Sequence, residues 1–444
     1  VAKITKKGAS GKWRSFAADL RDMRIAYDIF LAAYGFLIRL AALWNPKAKS
    51  WLHGRKHPEK AISSLRQSPE DPVVWIHCAS LGEFEQGRPV LEAIRVAYPR
   101  HRILLSFFSP SGYEYRKRYE GADLVCYLPL DGRIRSRRFL DEVRPCLAIF
   151  VKYEHWYYYL KELQARGIPC LSVSAVFRPS QPYFRPWGGF WRRLLSCYER
   201  IFVQDPDSLR LLSGIGMAGR AEISGDSRFD RVRSVAGSPV DIPWMEGFLD
   251  GRPTLVAGST WPDDEALLAT LSRQLPQLVL VIAPHDIDPG RLSEVERAFP
   301  KSVRFSECLG ASKKGDRALP ESGVLVVDNI GLLSSLYRFS TIAYVGGGFN
   351  RSGIHNILEA AVYGVPVIFG PRHGRSREAS ELLLSGGGFS VGNGDELTAR
   401  VSRLLMEPGT RDGLGRSNAA YVSERTGATH AVLRHIAENR LLTD

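Results

Sequence analysis

The sequence predicts an α/β protein of two doubly wound domains behind an apolar N-terminal helix. Three observations predict it. From Val73 onward, short β-branched runs alternate with helical patterns, and the pattern restarts near Thr254 after a stretch rich in glycine and proline. Residues 25–44 form an apolar run in basic surroundings. The 444 residues suit two domains of about 200 residues each. Apolar residues make up 44% of the chain, enough for two cores, and the 24% of charged residues is too low for bulk disorder.

The N-terminus comes first. Residues 1–60 hold 13 Lys and Arg against 4 Asp and Glu, so most of the formal net charge of +13 sits there. Residues 1–22 read as a polar extension, with Met23 as the natural start. The run IAYDIFLAAYGFLIRLAALW over 25–44 is interrupted by Asp28 and Arg39. A spanning helix needs about 20 apolar residues, so this one is expected to lie in or dip into a membrane interface. Tyr27, Tyr34 and Trp44 suit that boundary, and the basic surplus suits anionic lipid. An ordinary buried helix is the competing reading. No cleavable signal is read, because no small-residue cleavage site follows. Nucleic acid is not expected as a partner, since helix-turn-helix, zinc-finger and RNA-binding patterns are missing. The six cysteines form no C-x-x-C pair and mostly sit in apolar runs, so they read as buried thiols in a reducing compartment.

The first set of strands is VVWIH (73–77), RILLS (102–106), LAIFV (147–151), CLSVS (170–174) and RIFVQ (200–204), with helical stretches such as 86–97 and 156–166 between them. The second set is TLVAG (254–258), LVLVIA (278–283), VLVVD (324–328), TIAYV (341–345) and VPVIF (365–369). Continuous apolar runs separated by helices indicate parallel sheets covered on both faces. The intervening segment 231–253 carries Gly237, Pro239, Pro243, Gly251 and Pro253 and reads as a linker. Two such Rossmann-like domains facing a cleft would take ligands at the carboxyl ends of their strands.

Several constellations fall at those ends. Ala79-Ser80-Leu81-Gly82-Glu83-Phe84 follows the first strand. Ser80 can cap the next helix, Gly82 admits a close ligand, and Glu83 sits where the helix dipole favours the carboxylate that a general base needs. A plain N-cap with a dipole-complementing Glu explains the same residues. Tyr344-Val345-Gly346-Gly347-Gly348-Phe349-Asn350 and Gly353-Ile354-His355-Asn356-Ile357-Leu358-Glu359 read as a strand, a glycine-rich loop and a helix. Backbone N–H groups there can hold phosphate, and Glu359 can meet a ribose hydroxyl. Three glycines with no evident packing need favour function over a plain turn. Gly370-Pro371-Arg372-His373-Gly374-Arg375 offers cations to an anion or is a solvated basic loop. Asp205-Pro206-Asp207 fits a helix cap, and with Asp286-Ile287-Asp288 it is weak grounds for a metal, so none is expected.

As an ordered set these motifs resemble the 3-deoxy-D-manno-octulosonic acid (Kdo) transferases of lipopolysaccharide synthesis. The resemblance runs from about Met23 to the C-terminus. It rests on Ala79-Ser-Leu-Gly-Glu-Phe84, Gly225-Asp-Ser-Arg-Phe-Asp230, Gly258-Ser-Thr260, and Gly353-Ile-His-Asn-Ile-Leu-Glu359 with Gly370-Pro371. It implies a GT-B glycosyltransferase that inverts the anomeric centre and transfers Kdo from CMP-Kdo to the phosphorylated lipid A precursor (lipid IVA). It implies no cofactor and no metal, since CMP-Kdo is a substrate, and it implies attachment to inner-membrane lipids at the cytoplasmic face. Glu83 would be the base. Ser80, Gly82, Ser259, Thr260, Gly346, Gly347, Gly348, Asn356, Glu359 and Arg372 would bind substrate or donor. Glu154 and Arg178 would meet the acceptor. The implied organisation is 1–22 extension, 23–50 membrane-associated helix, 51–235 acceptor domain, 236–252 linker and 253–444 CMP-sugar domain. The last helix is a candidate to pack back on the first domain.

The chain departs from the family in places. Lys152-Tyr153-Glu154-His155-Trp156 stands where the family has acid-Thr-Glu-x-Trp, and Ser174-Ala175-Val176-Phe177-Arg178 where it has Asn-Ala-Arg-x-Ser. His285-Asp286 replaces an Arg-His pair. A related transferase using a UDP-sugar is the alternative within enzymes. A nicotinamide oxidoreductase lacks its G-x-G-x-x-G, and a non-catalytic nucleotide sensor would not need Glu83.

Overall fold

The computed structural model describes residues 7–55, 62, 65, 68, 70–152, 154–314 and 322–443, with backbone alone over 7–22 and 313–314. Residues 1–6 of the polar extension, and Tyr153 of the motif around Glu154, lie outside the described residues. The chain divides into two compact units, one running to Asp230 and resuming at Gly427, the other running from Arg231 to Thr426.

Unit 1 holds a seven-stranded sheet in the order β3-β2-β1-β4-β5-β6-β7. The strands are β1 (Val73–Cys78), β2 (Arg102–Phe107), β3 (Leu124–Tyr127), β4 (Pro145–Val151), β5 (Cys170–Ala175), β6 (Arg200–Val203) and β7 (Ala221–Ile223). Every pairing is parallel. The fully buried β1 shows why: successive side chains point to opposite faces, and helices cover both. Trp75 packs with Phe150 and Tyr159 on one face. Val74 and Ile76 join Phe84, Val432 and Ile436 on the other. Val432 and Ile436 belong to the last helix, Ala428–Glu438, which packs in unit 1 on the helix Leu81–Ala97.

Unit 2 repeats the plan in the order β10-β11-β9-β8-β12-β13-β14, again all parallel. Its strands are β8 (Thr254–Thr260), β9 (Val279–Pro284), β10 (Val303–Arg304), β11 (Val324–Val326), β12 (Ile342–Val345), β13 (Val367–Phe369) and β14 (Gly388–Ser390). The segment 236–252, read as a linker, is part of this unit. Between its prolines and glycines it carries Ile242, Trp244, Met245, Phe248 and Leu249, all buried. Trp244 sits 4.9 Å from the Phe305 ring, and the Val240 N–H donates to Ser335 Oγ at 3.0 Å. Apolar side chains at that density gain more by packing than by serving as a tether.

At the N-terminus a helix spans Lys7–Ala41, and Asn45 caps a second, Pro46–His53, by accepting from Lys47 N and Ala48 N. The long helix is fastened to unit 1. The Tyr27 hydroxyl donates to Asp131 Oδ2 at 2.6 Å, Tyr158 OH donates to Asp28 Oδ1 at 2.7 Å, and Leu31 is buried. Ile29, Phe30, Phe36 and Leu37 remain exposed, as do Leu43 and Trp44 beyond its end. Among the described residues no helix is long and apolar enough to cross a membrane.

Candidate active site

The strand order reverses between β1 and β4 in unit 1 and between β8 and β12 in unit 2, where β10 and β11 are also exchanged at one edge. Adjacent loops leave the carboxyl ends of such a pair in opposite directions and open a crevice, the usual ligand position in open parallel sheets. The motif residues collect at these two points.

In unit 1 the chain leaves β1 through Ala79 and Ser80 into the helix Leu81–Ala97. Ser80 has the extended backbone of an N-cap but does not cap with its side chain; its hydroxyl donates instead to Glu83 Oε2. Glu83 is thereby oriented in the first turn, partly exposed and close to the positive end of the helix dipole. A Cβ at Gly82 would meet only Ser80 Oγ at 3.8 Å, so that side of the turn is open to a ligand. Glu154 follows β4 on the other side of the reversal, past a left-handed Lys152 (φ 68°). Its Oε2 accepts from Trp156 Nε1 at 2.7 Å and lies 3.3 Å from His77 Nε2. Burial first, and then the nearby charges of Glu83 and Glu154, hold the Cys78 thiol well above its usual range, so both carboxylates act on one point at the end of β1. Arg178 stands apart on an exposed loop, its backbone N–H bonded to Gln181.

Gly225-Asp-Ser-Arg-Phe-Asp230 turns out to be scaffolding for this site. Asp226 Oδ2 accepts from Arg228 Nε at 2.8 Å, and Ser227 Oγ donates to the Gln86 carbonyl of the helix behind Glu83. Asp230 accepts from Gly427 N and Thr429 N, both at 2.6 Å, and so caps the last helix.

In unit 2, Ser259 forms a bulge in β8 with a left-handed backbone (φ 54°), which a non-glycine residue adopts only when its surroundings enforce it. Thr260 is buried and donates to Glu265 Oε1 at 2.8 Å. The glycine loop corrects the sequence reading in two ways. First, its glycines do serve packing. A Cβ on Gly346 would come 2.4 Å from Ser259 O, one on Gly347 2.6 Å from Gly353 O, and one on Gly348 2.5 Å from Gly370 Cα. Second, the N–H groups of Gly346 and Gly347 are engaged, the former by Gly258 O at 2.9 Å and the latter by Asp264 Oδ2 at 2.9 Å. Nor does a long helix start after the loop. The chain stays irregular to Ile357 and forms one short turn, Leu358–Ala361. Glu359 lies in that turn, with Oε1 accepting from Asn356 Nδ2 at 3.2 Å and Oε2 from Ser334 Oγ at 2.7 Å. Arg372 is exposed, and its backbone ties the loop by donating to Gly348 O at 2.8 Å.

The sequence reading passed over three features. His77 is one, a buried histidine at the end of an otherwise apolar strand. Asp264 is another. It is buried at the start of the helix Pro262–Gln274, accepts from Trp261 N, Gly347 N and Tyr344 OH, and is held above the usual carboxylate range by that burial. The third is a stack of Trp261, His285 and His355 at the reversal in unit 2. The ring centroids lie 4.6 Å and 4.7 Å apart, and Trp261 Nε1 donates to His355 Nε2 at 3.3 Å. Burial, helped by His285, lowers the His355 pKa to about 4. Side chains distant in sequence make these features, so only Gly347, in its fixed place after a strand, hinted at an acceptor such as Asp264. Both D-x-D patterns resolve into helix caps: Asp205 accepts from Ser208 N, and Asp288 from Gly290 N and Arg291 N. Among the described residues no cluster of three or more His, Cys, Asp or Glu could hold a metal ion.

Residues 53–231, which take in the whole sheet of unit 1 but not its N-terminal or last helices, match the model of the family described as 3-deoxy-D-manno-octulosonic-acid transferase (kdotransferase). A 3-deoxy-D-manno-octulosonic acid transferase of Rickettsia felis is 27% identical over 353 residues, covering 77% of this chain and 73% of the relative. The enzyme of the same description from Aquifex aeolicus is 28% identical over 341 residues, covering 75% of this chain and 86% of the relative. The crystal structure of UDP-GlcNAc 2-epimerase from Neisseria meningitidis bound to UDP-GlcNAc covers 83% of this chain and 100% of its own, with a TM-score of 0.57 and 14% identity, a likeness of fold alone. The ordered motifs, the match across unit 1 and relatives aligned through both units mark this chain as similar to the 3-deoxy-D-manno-octulosonic acid transferases and as a glycosyltransferase.

Proposed function

We propose that the chain transfers Kdo from CMP-Kdo to the phosphorylated lipid A precursor, lipid IVA, with inversion, and that Glu83 is the general base. The observation that carries this reading is the Ser80–Glu83 pair at the strand reversal of unit 1. A carboxylate oriented by a hydroxyl, set at a helix start and open beside a glycine has what a base needs. In the step, the acceptor hydroxyl gives its proton to Glu83 while its oxygen bonds to the anomeric carbon. The bond from that carbon to CMP breaks, and its electron pair leaves on the phosphate. Glu154 would accept from acceptor hydroxyls, and the exposed Arg178 would meet an acceptor phosphate.

Unit 2 would hold CMP. Arg372 supplies charge for the phosphate, Ser259 and Thr260 line the bulge, and Glu359 beside Asn356 takes the ribose hydroxyls. The glycines Gly346, Gly347 and Gly348 let the loop close enough to form that surface. No metal or further cofactor enters this reading, and neither does nucleic acid. The exposed Phe30, Phe36 and Leu37, with the basic surplus of residues 1–60, support a helix lying on anionic lipid at the cytoplasmic face of the inner membrane.

The test is incubation of the purified protein with CMP-Kdo and lipid A precursor, followed by mass spectrometry of the lipid. The expected product is heavier by whole Kdo residues. Transfer from a UDP-sugar with none from CMP-Kdo would overturn the donor assignment. Glu83→Gln keeps the shape but cannot take the proton, and turnover should fall at least about 100-fold with the thermal midpoint unchanged. Near-normal turnover of the folded variant would remove Glu83 from the role.

A further inference from the structure

We propose that His77 is a positioning residue that fixes the Glu154 carboxylate toward the acceptor. The inference rests on the reading of unit 1 as the acceptor side.

His77 is fully buried at the carboxyl end of β1, beside the rings of Trp75 and Phe150. A buried imidazole needs partners for both nitrogens, and here both have them. Trp75 Nε1 donates to Ser106 Oγ at 2.8 Å, and His77 Nδ1 lies 2.9 Å from that same hydroxyl oxygen and 3.1 Å from the Ser106 carbonyl. His77 Nε2 lies 3.3 Å from Glu154 Oε2. An ionised carboxylate only accepts, so Nε2 carries the hydrogen. Trp156 Nε1 is also 3.3 Å from Nε2, but it is 2.7 Å from Glu154 Oε2 and is committed there.

Two N–H groups therefore hold one oxygen of Glu154. One comes from the buried strand and one from the Trp156 that follows Glu154. Among the described residues no donor reaches the other oxygen, Oε1, and the side chain is 15% exposed. The left-handed Lys152 makes the bend that carries Glu154 back toward β1, the strand that leads into Ser80 and Glu83. A carboxylate clamped at one oxygen and open at the other is arranged to accept from a ligand hydroxyl. The clamp runs from Trp75 through Ser106 and His77, all of them buried, so its position is set by the sheet and not by a loop. A packing role alone would not need a nitrogen aimed at Glu154.

The test compares two substitutions. His77→Asn keeps a polar atom near Ser106 but cannot reach Glu154, whereas His77→Gln puts an amide nitrogen near the place of Nε2. For the asparagine variant, kcat/KM for the acceptor should fall about ten- to a hundred-fold, mainly through KM, with donor KM unchanged. The glutamine variant should recover most of the loss. His77→Asn combined with Glu154→Gln should be no worse than Glu154→Gln alone, because the two residues act as one unit. Unchanged acceptor kinetics in a folded His77→Asn protein, equal impairment by asparagine and glutamine, or additive losses would each overturn the proposal. If the variants do not fold, nitrogen-15 shifts of the wild-type imidazole decide. A proton on Nε2 supports the clamp, and a bare Nε2 with the proton on Nδ1 ends it. That readout needs no substrate, so a wild-type protein inactive with CMP-Kdo refutes the reading of function without deciding the clamp.

Discussion

Glu359 shows how a residue picked out for one reason takes its place for another. From its motif it is expected to be a ribose ligand; in the fold it joins a small network in which Asn356 donates to one oxygen and Ser334 to the other. Those bonds hold the carboxylate in one orientation without covering it, since Glu359 is only partly buried. A ligand meeting a fixed carboxylate loses less freedom on binding than one that must order it. Charge-assisted hydrogen bonds of this kind are worth about 1.5–3 kcal/mol each. Glu359→Ala is therefore expected to weaken CMP binding about ten-fold or more. Glu83→Gln, in the other unit, should leave it nearly unchanged. Titration calorimetry on both variants checks this, and wild-type affinity in Glu359→Ala would assign the ribose contact elsewhere. The glycines make the complementary point: Gly348 and Gly370 touch backbone to backbone, a contact that any side chain forbids.

At the scale of the element, the long N-terminal helix is held by specific contacts. Asp131 is the centre of them. It accepts from the Tyr27 hydroxyl and from the N–H groups of Tyr158 and Tyr159, at the start of the helix Tyr157–Ala165. Burial outweighs those bonds and pushes its pKa up to about 6. Between about pH 4 and that value the folded chain holds a proton that the unfolded chain has released, so stability falls as pH rises through the window. Comparison of wild type with Asp131→Asn by urea unfolding across it should show a difference that shifts by on the order of 1–3 kcal/mol in that direction. A pH-independent difference would mean that Asp131 titrates normally. The exposed apolar residues of the same helix lead to a second expectation. Phe36→Ser with Leu37→Ser removes two of them without touching the Tyr27 and Asp28 anchors, so sedimentation with anionic liposomes should weaken while the fold persists. Residual binding should also fall with added salt. Unaltered sedimentation would place the lipid contact elsewhere.

For the whole molecule, the chain leaves unit 1 after Asp230 and re-enters it at Gly427, and Asp230 itself binds the returning segment. Its two carboxylate oxygens accept from Gly427 N and Thr429 N, N–H groups at a helix start that have no intrahelical partner. The helix so capped buries Val432 and Ile436 in the unit 1 core. Asp230→Ala should cost about 1–2 kcal/mol, the usual loss for a missing N-cap acceptor. The amides of 428–438 should exchange hydrogen faster while those of unit 2 are unaffected. Unchanged exchange over that helix would show that its packing suffices without the cap.

Each of the ten apolar runs marked in the sequence overlaps a strand, because a central strand of a parallel sheet is buried on both faces and leaves a continuous hydrophobic signal. The four strands without such a mark, β3, β7, β10 and β14, are the four sheet edges. They are short and partly exposed, so their composition does not set them apart from loops. The motif after β1 was legible for a related reason, since a helix start after a strand has a local pattern. What the tertiary structure alone decided are the partnerships between distant residues. Asp264 reaches Gly347 across 83 positions and His77 reaches Glu154 across 77. A local pattern records how a residue fits its own helix or strand, whereas the partner of a buried polar group is chosen by which chain segments the sheet order brings side by side.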